Sequence, residues 1–119
     1  MKEENPVLIK SYAFSRRIIL LYKQLLQDKQ PRPLADQLLR CGTSIGANAE
    51  EAVGAFSRRD FAAKCSIAYK EAREAHYWLR LLRDTECLNF KLANSFINDA
   101  EELKRILASI IISTRLPQE

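Results

Sequence analysis

Between Phe61 and Leu82 the chain places an apolar or small residue at Phe61, Cys65, Ala68, Ala72, Ala75, Leu79 and Leu82, a spacing that alternates four and three throughout. Only an α-helix brings residues at that interval onto one face, and a stripe this sustained is the seam of helices packed at shallow angles. The same alternation recurs on both sides. Phe14, Ile18, Leu21 and Leu25 carry it in an earlier segment, with Ile19, Tyr22 and Leu26 widening the stripe; Phe96, Ala100, Leu103, Leu107, Ile110 and Thr114 carry it in a later one.

Three breaks interrupt the pattern. Gln30-Pro31-Arg32-Pro33 cannot lie in a helix interior, and the others fall near Phe56-Ser57 and around Thr85 to Asn89. Ser57-x-x-Asp60 is a capping pattern for the third segment, Pro33 suits a first helical turn, and Pro117 marks the end of the last helix. Loops of a few residues force consecutive helices antiparallel, so the expected fold is all-α, an up-down-up-down antiparallel four-helix bundle forming one domain over residues 1–119. With only three glycines and four prolines, the chain lacks the turn residues that an all-β fold would need. No apolar run approaches the ~18 residues of a membrane span, and the start MKEENPVLIK has no signal-peptide core, so a cytoplasmic protein without a membrane partner is expected.

Chemistry finds little support. Cys41, Cys65 and Cys87 are an odd number at wide spacing, which points to reduced thiols rather than a disulfide framework or a zinc site. A di-iron bundle needs two Glu-x-x-His motifs, whereas the single histidine, His76, has Arg73 three residues before it. His76 follows core-phase Ala75 and reads as a boundary residue bonded to a neighbour. No phosphate-binding glycine loop is present. Glu50, Glu51, Glu71 and Glu74 read as partners of Arg40, Lys70 and Arg73 in a polar seam. The expectation is a protein with no enzymatic activity, no catalytic residue, no metal and no cofactor.

Two features remain. Gly42 and Gly46 lie four apart, on one face of the second segment, and each interior glycine costs about 1 kcal/mol against Ala. Close backbone approach, to a neighbouring helix or to a second subunit, is the physical reason for keeping both. The other feature is charge. The segment 7–30 carries five bases against one acid, and 57–84 carries seven against four, while the stretches 33–56 and 85–119 are net acidic. Lys70, Arg73, Tyr77 and Arg80 step by three, four and three along one face. That stripe can follow a phosphate backbone, with Tyr77 offering a ring to an unstacked base. The competing reading is a solvated face paired within the helix as Lys70–Glu74 and Arg80–Asp84.

The runs Leu39 to Ala52 and Ile67 to Leu79, with Ser57-Arg58-Arg59-Asp60-Phe61 and the isoleucine-rich end, resemble the four-helix-bundle family of bacterial 23S rRNA intervening-sequence proteins. The resemblance covers nearly the whole chain. It implies a small cytosolic bundle assembling as a homo-oligomeric ring, a pentamer, with no established enzymatic activity. A distant branch resembles the accessory subunit of diversity-generating retroelements, a basic barrel that binds nucleic acid and reverse transcriptase. Gly42, Gly46 and the run Ile110-Ile111-Ile112 add to the expectation of self-association. Two functions stay open: a non-catalytic protein binding RNA or DNA through Arg16, Arg17, Lys70, Arg73, Tyr77 and Arg80, or a scaffold that engages a partner polypeptide without touching nucleic acid.

Overall fold

Small side chains set how closely the helices approach. A computed structural model describes residues 5–115, and within them lie four helices and no strand: α1 Pro6–Gln27, α2 Arg32–Val53, α3 Arg58–Asp84 and α4 Phe90–Thr114. The helices run antiparallel in sequence order around one core, in a body of 53 × 26 × 23 Å. The diagonal pairs, α1 with α3 and α2 with α4, nowhere come within 8 Å between Cα atoms. Pro117 lies outside the described residues.

Caps follow local chemistry. Asn5, Ser57 and Asn89 each accept a backbone N–H of their own first turn, from Val7, Asp60 and Leu92 respectively. α2 has no side-chain cap, but Pro33 lies in its first turn, where a missing N–H leaves nothing unpaired. At the same end of the bundle α1 and α3 terminate alike. Lys29 and Glu86 take left-handed φ values of 58° and 62°, and the next N–H, from Gln30 or Cys87, closes back onto the carbonyl of Leu25 or Leu82.

The core face of α3 is Cys65, Ala68, Ala72, Ala75, Leu79 and Leu82, all buried. Alanine along this stripe lets α2 and α4 both pack tightly against it. α1 presents bulkier residues, Phe14, Ile18, Leu21 and Leu25, and reaches α2 closely only because α2 answers with glycines. A Cβ at Gly42 would lie 2.9 Å from both γ-carbons of Ile18, and one at Gly46 would lie 3.3 Å from the Ser11 carbonyl oxygen. The two glycines therefore face α1 of the same chain, and they carry no argument for a second subunit. Facing α4, α1 has no such relief: Phe14 meets Phe96 edge-on at 6.4 Å between ring centroids, and the α1–α4 seam is the thinnest of the four.

The helical stripes shift slightly from the expected phase. Ile19 faces solvent rather than widening the α1 stripe, and on α4 the last buried position is Ile111 rather than Ile110. Cys41 and Cys65 are buried free thiols, and Cys87 is half-buried; burial pushes the Cys41 thiol up to about 12, so it stays protonated.

Two outcomes follow from this packing. Ala usually stabilises a helix over Gly, yet Gly42→Ala should cost about 1–2 kcal/mol in urea unfolding, because the stiff, fully buried Ile18 must move. Gly54→Ala is the control: a Cβ there meets nothing closer than 3.7 Å, and stability should hold or rise. Separately, Lys29→Gly and Glu86→Gly should each stabilise by about 0.5–1 kcal/mol, since the left-handed conformation costs a side chain more than glycine's extra chain entropy. Lower unfolding midpoints for both would overturn that account.

Candidate nucleic-acid interface

α3 has two flanks with opposite electrostatic fates. On the flank facing α2, the Arg40 guanidinium forks between two carboxylates, Nη1 to Glu71 Oε1 at 3.2 Å and Nη2 to Glu74 Oε2 at 2.6 Å. The Trp78 indole N–H donates to the same Glu74 oxygen at 3.0 Å. Arg40, and then Trp78, hold the Glu74 carboxyl below its usual range. Lys64 pairs with Glu51 at 2.9 Å. Of the polar seam expected from the sequence, Arg40 with Glu71 and Glu74 is present; Lys64, not Lys70 or Arg73, pairs with Glu51, and Glu50 makes no ion pair among the described residues.

That arrangement strips the outer flank of its acids. Neither intrahelical pair forms: Glu74 is turned to α2, and Asp84 accepts from Arg83 Nε at 2.8 Å instead of from Arg80. Lys70, Arg73, Tyr77 and Arg80 are all exposed along one side of α3. Among the described residues no carboxylate lies within ion-pair distance of Lys70, Arg73 or Arg80. The arginines lean on aromatic rings instead. Arg73 donates to the Tyr69 hydroxyl at 3.3 Å and sits 5.8 Å from its ring centroid; Arg80 is 5.8 Å from the Tyr77 ring.

α4 continues the positive surface. Lys104 and Arg105 converge on Glu101 at 3.2 and 3.6 Å, and His76 Nε2 lies 3.3 Å from the same carboxylate. Towards the C-terminal end of α4 a cleft of about 520 Å³ opens between the helices, lined by Tyr69, Lys70 and Arg73 on one wall and Ile111, Ile112 and Arg115 on the other.

The six residues singled out from sequence thus fall into separate environments. Lys70, Arg73, Tyr77 and Arg80 share the α3 face. Arg16 is exposed on α1, across the diagonal, and cannot join them within one chain. Arg17 is engaged in the α1–α4 seam: it pairs with Asp99 at 2.6 Å, donates to Ser95 at 3.2 Å and lies 4.0 Å over the Phe96 ring. Its guanidinium ties the two helices. Tyr69, Ile112 and Arg115 were missed; the packing of α4 against α3 brings them into one cleft with Lys70 and Arg73, a grouping that helical phase alone does not give.

His76 gives this face a pH dependence. Burial lowers its pKa below the ordinary histidine value, Lys104, Arg80 and Arg73 lower it further, and Glu101 opposes them. Near neutrality the ring is uncharged, so its 3.3 Å approach to Glu101 is not an ion pair there. Because the native pKa is the lower one, the unfolded chain takes up the proton first as pH falls. Stability is then full above about pH 6.5 and declines below it, levelling off once the native ring is protonated too. Urea midpoints should drop as pH falls through about 6.5, and His76→Gln should flatten that drop. The carboxylates of Glu74 and Glu101, both held low, act only at more acid pH. A drop unchanged in the variant would remove His76 from the account.

Comparison with known proteins places the chain. No curated protein matches it. A solved crystal structure from Bacteroides thetaiotaomicron, of a protein of unknown function from the S23 ribosomal protein family, superposes with a TM-score of 0.86 at 47% sequence identity, covering 88% of this chain and 97% of that one. The family model for 23S rRNA-intervening sequence proteins matches residues 3–109. With nearly its whole length matched, the chain belongs to the 23S rRNA-intervening sequence protein family.

Proposed function

We propose that this protein is a non-catalytic, cytoplasmic, homo-oligomeric bundle that binds nucleic-acid backbones through the α3–α4 face. The observation that carries this reading is the unbalanced charge of α3: Arg40 takes Glu71 and Glu74, Arg83 takes Asp84, and among the described residues no carboxylate lies within ion-pair distance of Lys70, Arg73 or Arg80. A row of uncompensated cations is suited to phosphates, which it meets with release of condensed counterions. Their spacing of three and seven residues spreads the charges over about 15 Å of helix, at 1.5 Å per residue.

Self-association rests on another surface. The outer side of α1 exposes Ile9, Tyr12, Ile19 and Leu20, the last 65% accessible, beside Leu92 of α4. Exposed apolar side chains gathered on one side of a helix, here with the exposed Arg16 among them, mark a contact surface on a small protein. A ring, the pentamer that the family resemblance implies, repeats the α3 face around its circumference, and weak contacts add through multivalency. The same α1 face supports a second reading, in which the ring is a scaffold or accessory subunit that holds a polypeptide such as a reverse transcriptase and makes no nucleic-acid contact.

Salt separates the two. Fluorescence anisotropy with a generic RNA should show log K falling with log salt by about 0.7 per phosphate contacted on a single strand. Replacing Arg73 and Arg80 together by Ala should weaken binding and flatten the slope by up to about 2 units per subunit contacted, while helicity and particle mass stay unchanged. Light scattering should give a mass several times that of one 13.7 kDa chain. No binding even at low salt favours the scaffold, and a monomeric mass removes the ring.

A further inference from the structure

We propose that the α3–α4 cleft takes an unpaired nucleobase, so that the protein selects single-stranded over duplex nucleic acid. The inference rests on the backbone-binding reading and goes beyond it, from charge to shape. The cleft has a cationic rim and an apolar interior. Lys70, Arg73 and Arg115 line it with exposed side chains, the buried Ile111, Ala108 and the exposed Ile112 line it from α4, and Tyr69 lines it from α3. Two short side chains, Ser66 on α3 and Ala108 on α4, complete its lining.

A phosphate needs only the rim. The aliphatic carbon within offers it nothing, and desolvating a phosphate against isoleucine is unfavourable. A duplex presents a charged exterior with its base faces stacked inside, so it meets the rim and leaves the interior bare. A base turned out of a single strand has a flat, uncharged face that can cover Ile112, which is 58% exposed among three cations, while its flanking phosphates reach Lys70, Arg73 and Arg115. The Arg73 bond to the Tyr69 hydroxyl, 3.3 Å, ties the side wall to the cationic rim. Tyr77 lies eight residues further along α3, about 12 Å at 1.5 Å per residue, and is 48% exposed beside Arg80, so it offers a second ring on the strand's path. A second copy of this chain is a poor occupant: the rim carries three like charges and the protein itself is basic, with a sequence pI near 9.1.

The test compares three probes on the full-length protein across a salt series: an oligothymidylate, an abasic strand of the same length, and the oligothymidylate paired with oligoadenylate. The unpaired strand should bind about tenfold tighter than either of the others. Ile112→Ser should reduce oligothymidylate affinity about fivefold without changing the salt slope, because the lost contact is uncharged, and should leave abasic binding as it was. Arg73→Gln should instead flatten the slope for every probe. Equal affinity for all three probes, with Ile112→Ser silent, overturns base selection and leaves the backbone-binding reading standing. Absence of binding to any probe overturns both. A changed particle mass in Ile112→Ser makes the cleft a subunit seam and also overturns the proposal.

Discussion

The contact between Gly42 and Ile18 fixes the frame on which the other helices are arranged. Alanines on α3 admit both of its neighbours, and glycines on α2 admit α1, so three of the four seams close by backbone approach. The fourth closes by reach. Between α1 and α4 stand the Phe14–Phe96 pair, the Arg17 tie to Asp99 and a longer pair, Lys10 with Glu102 at 3.1 Å. Side-chain size therefore decides which helices touch along their length and which are bridged.

Charge is distributed by a comparable economy. One guanidinium on α2 engages two carboxylates of α3, and bidentate geometry makes that choice firmer than a flexible lysine could. Being half-exposed, the fork contributes modestly to stability. Its larger effect is spatial: with both acids held on the α2 side, the positive potential of α3 points the other way, over the α4 seam.

Much of this was legible in the residues. The four-three spacing of Phe61 to Leu82 fixed the core face of α3 almost residue for residue, because alanine and leucine at that period have no other place to go. Ser57 was readable as a cap for the same reason. The orientation of Gly42 was not, since a missing Cβ signals close approach without saying what approaches. The fate of Glu74 was hidden differently. Within its own helix Lys70 is the obvious partner, but a residue thirty-four positions earlier, Arg40, competes for it and makes the shorter contact. Local pairing rules fail where a neighbouring helix offers a better donor. Tyr69, Ile112 and Arg115 became a group only once the antiparallel α3–α4 register was set, and Arg17 left the candidate site because Phe96 and Asp99 were waiting across a seam.

The thin α1–α4 seam bears on how the chain folds. The three broad seams join helices adjacent in sequence, so most native contacts form by closing short loops, and little entropy is lost before each contact is gained. Such a chain is expected to fold fast by successive hairpins, with the meeting of α1 and α4 as its one distant closure. Native-state hydrogen exchange reads the corollary: amides of α1, held along one broad side only, should open at lower free energy than those of α3, which is gripped from both.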